Sequence, residues 1–243
     1  VLFLHQKSTM PLFFQENIQP PEIHLEPEES KHLIRVLRKK TGDSVELTDG
    51  NGNLYHCRIQ DANPKKTSLL VIDVEKTPED NFRIHLAIAP TKSPDRMEWM
   101  VEKITEIGFH EIYLMKSQNS ERTYLKTDRL EKKIISACKQ SKQYFKPKVL
   151  SDISFSDLIK DPAFSGFQKF IAYVDENHQN HLLDVAKPNR DYLILIGPEG
   201  DFDSEEIKLA ISNGFEPVSL GKSRLRTETA GLVAVHMLQI LNR

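Results

Sequence analysis

Tyr192-Leu193-Ile194-Leu195-Ile196 runs without a break into Gly197-Pro198-Glu199-Gly200. An apolar run of this length, closed by a glycine-proline turn, reads as a strand buried on both faces. One helix further on, Val218-Ser219-Leu220-Gly221 leads in the same way into Lys222-Ser223-Arg224-Leu225-Arg226-Thr227-Glu228-Thr229-Ala230. Two strand ends that open into small glycine-bearing loops point to a ligand crevice at the carboxyl edge of a parallel sheet.

Upstream of this pair the chain alternates strands with amphipathic helices, the βαβ pattern. Arg83 to Ala89, Ile112 to Met115 and Phe170 to Val174 read as strands. Ser93-Pro94 opens a helix with Met97, Met100, Val101, Ile104 and Ile107 on its inner face, and Gly108 stops it. Asp128 opens another, lined by Leu130, Ile134, Ala137, Cys138 and Ser141. Asp203 or Ser204 caps a helix ending at Asn213-Gly214, with Glu205 and Glu206 at its positive end. The last helix follows Thr227, with Ala230, Val233, Ala234, Met237, Leu238 and Leu241 along one side.

Before residue 80 the grammar differs. Leu12–Phe14, Ile23–Leu25, Asp43–Thr48, Leu54–Gln60 and Ser68–Val74 are short strands, and Asp49-Gly50-Asn51-Gly52 makes a tight hairpin. Such spacing predicts a small β-barrel or sandwich. One helix interrupts it, capped by Ser30 and ended by Thr41-Gly42, with Leu33, Val36 and Leu37 inside and His32, Arg35, Arg38, Lys39 and Lys40 outside. The expected fold is therefore α/β, with a β domain over residues 10–78 and an α/β domain over 79–243. Residues 1–9 precede Met10 and are expected to be a non-native remnant, a genuine N-terminal extension being the other reading.

A net charge of −2 excludes a polybasic protein, so any nucleic-acid contact must come from a local basic face. Cys57 and Cys138 lie in apolar segments without CxxC or histidine partners, which suits reduced buried thiols in a cytoplasmic protein and supports neither zinc nor disulfides. No metal spacing occurs among the histidines, and no apolar run is long enough to cross a membrane. There is neither a GxxxxGK[ST] nor a GxGxxG loop.

Gly197-Pro198-Glu199-Gly200 is a rigid turn whose backbone could grip a flat heterocycle, though it could equally be a plain β-to-α connection. Thr227 could simply cap the last helix, Glu228 could only complement its dipole, and Arg224 could be solvated. Arg226, set between a glycine-bearing strand end and a helix start, can neutralise an anion or polarise a carbonyl. The basic residues around Arg35 could hold RNA phosphates or form a solvated face, and the same choice applies to Lys132, Lys133, Lys139, Lys142, Lys146 and Lys148. Asp175-Glu176, after the strand at Val174, could reach the crevice.

Taken in order, His32-Leu33-Ile34-Arg35-Val36-Leu37-Arg38, Asp95-Arg96-Met97, Thr105-Glu106-Ile107-Gly108, Ser120-Glu121-Arg122, Gln140-Ser141, Ile196-Gly197-Pro198-Glu199-Gly200 and Leu225-Arg226-Thr227-Glu228-Thr229-Ala230 carry a resemblance. From Met10 onward the chain resembles the RsmE family of bacterial 16S rRNA uridine N3-methyltransferases, in the SPOUT superfamily. Two positions depart from the family pattern: Asp201 stands where a second glycine is common, and Lys139 where glutamate is.

The resemblance implies a PUA-like N-terminal barrel that helps bind RNA and a C-terminal α/β domain ending in a trefoil knot. It implies S-adenosylmethionine held at Ile196, Gly197, Pro198, Glu199, Gly200, Leu220, Gly221, Leu225, Thr229 and Ala230. It implies a homodimer in the cytoplasm acting on 16S rRNA or on the assembled small ribosomal subunit, with no metal. On chemical grounds Arg226 is the first candidate to stabilise negative charge on the uracil and Arg122 the second, while Glu228 would position an arginine or accept a proton. His32, Arg35, Arg38, Lys39 and Lys40 would contact RNA. The competing readings are a ribose 2′-O-methyltransferase of the same superfamily and a non-catalytic RNA-binding assembly factor.

Overall fold

The computed structural model describes residues 10–121, 125–173 and 180–243. Its contacts define two units. The first runs to Glu79 and takes in Cys138–Lys146; the second holds Asp80–Ala137 and Pro147–Arg243.

In the first unit, β1 (Leu12–Phe14), β2 (Glu22–His24), β3 (Ser44–Thr48), β4 (Asn53–Asp61) and β5 (Ser68–Lys76) form one small barrel-like sheet in the order β1-β3-β4-β5-β2. Only the β1–β3 pair is parallel. The hairpin expected at residues 49–52 joins β3 to β4, with Asp49 accepting the Asn51 N–H. Alternation along the strands sends Val45, Leu47, Cys57 and Ile59 inward, where they meet Phe13, Ile23, Leu25, Leu33 and Leu69.

The helix of this unit departs from expectation. α1 spans Pro27–Lys31, earlier than Ser30, because Pro27 can occupy the first helical turn without wasting a backbone donor. Ser30 is not a cap. It is buried, donating its hydroxyl to Leu25 O at 3.1 Å and accepting Thr67 N–H at 2.9 Å. A π-helical turn over His32–Val36 follows, and Arg38 then turns left-handed at φ 55°. The wider turn rotates the face, so Leu33 is buried while Val36 is 65% exposed and Leu37 37%. Arg38, Lys39 and Lys40 therefore lie beyond the helix rather than along its outer side.

Glu46 of β3 is almost fully buried and receives Lys142 Nζ at 2.6 Å; the same ammonium donates to Met10 O at 2.6 Å. A buried carboxylate tolerates its site only while the counter-charge is present.

In the second unit, β6 (Ile84–Ile88), α2 (Pro94–Ile107), β7 (Glu111–Lys116), α3 (Thr127–Ser141, whose last turn belongs with the first unit), β8 (Lys148–Ser154), α4 (Phe155–Lys160), β9 (Gln168–Ala172), β10 (Asn180–His181), α5 (Leu182–Val185), β11 (Tyr192–Ile196), α6 (Ser204–Ser212), β12 (Glu216–Ser219) and α7 (Thr227–Leu241) follow in order. The seven strands make one parallel sheet, β10-β12-β9-β11-β6-β7-β8. Every residue of β6 and β11 is buried, which explains the unbroken apolar run of β11 and makes His85 the one polar interruption in β6. β8 and β10, with α4 and α5, are additional to the sequence reading. β8 mixes Lys148, Ser151, Asp152 and Ser154 with Val149, Leu150 and Ile153, because an edge strand meets solvent on one side. β12 ends at Ser219, so Leu220-Gly221 already belongs to the loop. Val174 lies outside the described residues.

α7 lies close on the sheet and on α2. A Cβ on Gly231 would fall 2.7 Å from Met100 Sδ and 3.2 Å from Ile88 Cδ1, so the glycine serves close approach here.

At the start of β6, His85 is buried against Tyr113, Phe164 and Phe167. Its ring nitrogens have no hydrogen-bond partner among the described residues, and Nδ1 stands 3.6 Å from Glu111 Oε2. Tyr113 donates its hydroxyl to that same carboxylate oxygen. Burial lowers the His85 pKa to about 4, against an opposing pull from Glu111.

Two outcomes follow from these buried groups. Lys142→Ala should destabilise the first unit by about 3–5 kcal/mol in urea unfolding, with Lys142→Met/Glu46→Leu recovering most of the loss. For His85 the neutral form is the folded form, so unfolded chains bind the extra proton first as pH drops below the ordinary histidine value. Stability should fall between about pH 6.5 and 4, by up to about 3 kcal/mol, and His85→Leu should flatten that part of the profile relative to wild type. Equal acid sensitivity in the two proteins would contradict this.

Candidate active site

The carboxyl ends of β9, β11 and β12 open on one side of the sheet, and a cleft of about 830 Å³ lies there. Ala172 and Tyr173 end β9, Ile196 to Glu199 leave β11, and Val218 to Arg226 leave β12. Thr227 and Ala230 of α7 and Arg96 of α2 complete the main wall. Ile196, Val218, Leu220 and Leu225 give it apolar lining, while Arg96, Lys222, Arg224 and Arg226 bring positive charge. A cleft of this size suits a small ligand gripped partly through backbone atoms.

The first loop is pinned from outside. Glu199 Oε1 accepts the Lys92 N–H at 3.2 Å, and Asn119 Nδ2 donates to Asp201 O at 3.1 Å. The Asp201 N–H closes the turn onto Pro198 O at 3.0 Å. Neither Gly197 nor Gly200 has positive φ; the left-handed residue is Asp201, at φ 63°. Asp201 tolerates that angle because its carboxylate accepts the Phe202 N–H at 2.8 Å. Gly197 instead gives close packing: a Cβ there would sit 3.2 Å from the Phe202 ring, which would have to shift by a few tenths of an ångström. Asp203 then caps α6 in a capping box with Glu206, whose carboxylate also accepts from the Ser117 hydroxyl and the Gln118 N–H.

The second loop turns at Gly221, φ 133°. Ser219 Oγ accepts the Gly221 N–H and donates to the Gly221 carbonyl, each at 3.1 Å. Arg226 occupies the N-cap position of α7 without a side-chain cap bond, so Thr227 is not the cap but the first helical residue, buried at the cleft. Glu228 is buried behind it; its Oε1 lies 3.7 Å from Arg96 Nε, and its Oε2 has no hydrogen-bond partner among the described residues.

Of the residues expected to hold a cofactor, Ile196, Gly197, Pro198, Glu199, Leu220, Gly221, Leu225 and Ala230 line the cleft; Gly200 and Thr229 stand outside its lining. Of the three expected in catalysis, Arg226 lines it, Glu228 reaches it through Arg96, and Arg122 lies outside the described residues, as do Asp175 and Glu176. Sequence reasoning missed Arg96, Tyr173, His181 and Ser219. Arg96 carried a usable signal, since it stands in the first turn of a helix that follows a central parallel strand.

In the first unit His32, Arg35, Arg38 and Lys40 are exposed, and Lys39 is half-buried. His32 packs on Phe13 with ring centroids 5.9 Å apart. Among the described residues neither Arg35 nor Arg38 forms an ion pair. The second lysine cluster is different: Lys133, Lys139, Lys142, Lys146 and Lys148 are each paired with a glutamate, so most of that charge is already neutralised. No group of three or more metal-ligating side chains occurs among the described residues.

Comparison with known proteins identifies two domains. Residues 78–239 match the model of an RNA methyltransferase domain, and residues 25–72 match that of an RNA methyltransferase PUA domain. A probable rRNA-methyltransferase from Porphyromonas gingivalis shares 42% identity, with a TM-score of 0.91 over 96% of this chain and 98% of that one. A ribosomal RNA small subunit methyltransferase E from Neisseria gonorrhoeae, solved bound to S-adenosyl methionine, shares 29% identity, with a TM-score of 0.84 over 96% and 98%. The ribosomal RNA small subunit methyltransferase E of Rickettsia conorii is 26% identical across 90% of each chain.

The left-handed turn at Asp201 gives a stability test. Asp201→Gly trades a side-chain hydrogen bond for relief of backbone strain and should lie within about 0.5 kcal/mol of wild type, whereas Asp201→Val should cost about 1–2 kcal/mol in thermal or urea unfolding. Equal losses in both variants would mean that the carboxylate, not the backbone angle, decides this position.

Proposed function

The chain belongs to the RNA methyltransferase family, and from that premise we propose that it methylates N3 of a uridine in small-subunit rRNA. It is an S-adenosylmethionine-dependent rRNA methyltransferase. The observation that carries it is the cleft at the carboxyl ends of β9, β11 and β12, where both glycine-bearing loops meet one cavity.

The residues present fit the cofactor. Ile196, Val218, Leu220 and Leu225 offer apolar contact for a purine, and the turns at Pro198 and Gly221 expose backbone donors and acceptors to its polar edge. When bound, the cofactor would supply a methyl group on positively charged sulfur for transfer to uracil N3, the S–C electron pair staying on sulfur and the N3 proton leaving to solvent. The protein must therefore admit an unpaired uracil, since N3 lies on the Watson–Crick edge, and must tolerate negative charge spreading over O2 and O4. Cationic side chains around the cleft meet the second demand. Arg226, exposed at the rim, is suited to an anionic group of the entering RNA.

His32, Arg35, Arg38, Lys39 and Lys40 are proposed to hold RNA phosphates from the first unit; the absence of ion pairs at Arg35 and Arg38 among the described residues supports this. The resemblance carries a homodimer and a cytoplasmic setting with it. No helix among the described residues is long and apolar enough to cross a membrane.

The test is methyl transfer to small ribosomal subunits that lack the modification, followed by digestion to nucleosides and chromatography. The expected product is 3-methyluridine. A 2′-O-methylnucleoside would overturn the acceptor assignment, and absence of calorimetric binding of S-adenosylmethionine would overturn the site.

A further inference from the structure

Glu228 is the most costly side chain around the cleft. It sits in the first turn of α7, its side chain only 9% exposed, and Oε2 is buried with no hydrogen-bond partner among the described residues. A helix N-terminus eases such a charge but does not replace a counter-ion. The only ion-pair partner among the described residues is Arg96, approached at Nε over 3.7 Å. Arg96 stands in the first turn of α2, lines the cleft and is 44% exposed. Contact at Nε leaves both Nη groups of the guanidinium without a partner among the described residues. Arg226 has no such support: it is exposed, and no ion pair or side-chain hydrogen bond holds it among the described residues.

A cation stabilises developing charge best when it is fixed before the charge appears, because a loose side chain must first be ordered. A guanidinium paired at 3.7 Å with a buried carboxylate is more restricted than an unpaired one, and its remaining N–H groups suit a carbonyl oxygen that is gaining charge. We propose that Arg96 is the guanidinium that meets the acceptor uracil, at the oxygens that gain charge as N3 loses its proton, and that Glu228 is a positioning residue acting through it. This moves to Arg96 the role that sequence alone suggested for Arg226. It rests on the reading of the cleft as the methyl-transfer site.

The experiment measures S-adenosylmethionine affinity by calorimetry, and kcat and KM on small subunits across pH, for wild type, Arg96→Ala, Arg96→Lys, Glu228→Gln, Arg96→Ala/Glu228→Gln and Arg226→Ala. Arg96→Ala should keep cofactor affinity within a few-fold and lose about 100-fold in kcat, the usual effect of removing one preorganised donor. Its kcat should recover in part as pH rises, because alkali removes the N3 proton without help. Arg96→Lys should restore part of the activity. Glu228→Gln should lower kcat by about tenfold, and in the double variant it should add nothing to the loss from Arg96→Ala, because groups that act as a unit are non-additive. Arg226→Ala should act mainly on KM.

Normal kcat in Arg96→Ala, or losses that multiply in the double variant, would overturn the proposal while leaving the cleft assignment intact. Failure of the wild-type chain to bind cofactor or transfer methyl would instead overturn the assignment on which it rests. Should Arg96→Ala unfold, the comparison of Arg96→Lys with Glu228→Gln decides: equal cofactor binding with depressed kcat in both supports the pair, and unchanged kcat in both contradicts it.

Discussion

Parallel strands cannot be joined by a tight turn, and this governs the second unit. Every return from β9, β11 or β12 must travel back across the sheet, so each strand delivers its next loop at the same edge. Because β9 lies between β11 and β12, loops that are a helix apart in sequence face one another across a single strand. The cleft is a consequence of that order. The two loops that line it are braced by hydrogen bonds of Glu199, Asn119 and Ser219.

Within each unit some cations are paired and others are not, and the unpaired ones suit an RNA partner. Five of the six lysines in the cluster between residues 132 and 148 face glutamates and present little net field. Among the described residues, Arg35, Arg38 and the cationic side chains of the cleft lack that compensation, Arg96 excepted. A chain with net charge −2 can thus offer local positive surface where an acidic polymer would bind and stay neutral elsewhere. Arg96 differs because its partner is buried, which restricts the guanidinium without removing its remaining donors.

Much of this was legible in the sequence, for a physical reason. β6 and β11 are buried along their whole length, and such strands are mostly apolar, so Tyr192–Ile196 announced both the sheet and its edge. The change of period near residue 80 was equally plain. What stayed hidden depended on tertiary surroundings. β8 and β10 are an edge strand and a two-residue strand, with little apolar patterning. The π-helical turn at His32–Val36 exposes Val36 and Leu37, which helical spacing had placed inside. Thr227 looked like a cap because capping residues are read from identity, whereas the backbone begins the helix one residue earlier than that reading requires. The Arg96–Glu228 pair joins helices from opposite ends of the domain, and no local pattern could have linked them.

Two loops share a single cavity at the carboxyl edge of the sheet. Diffusing S-adenosylmethionine into crystals of the protein and locating its density measures that directly. Density in contact with both the Gly197–Gly200 turn and the Ser219–Gly221 turn, with Arg96 left open toward the remaining space, is the result expected. Density elsewhere on the molecule, or touching only one of the two turns, would contradict it.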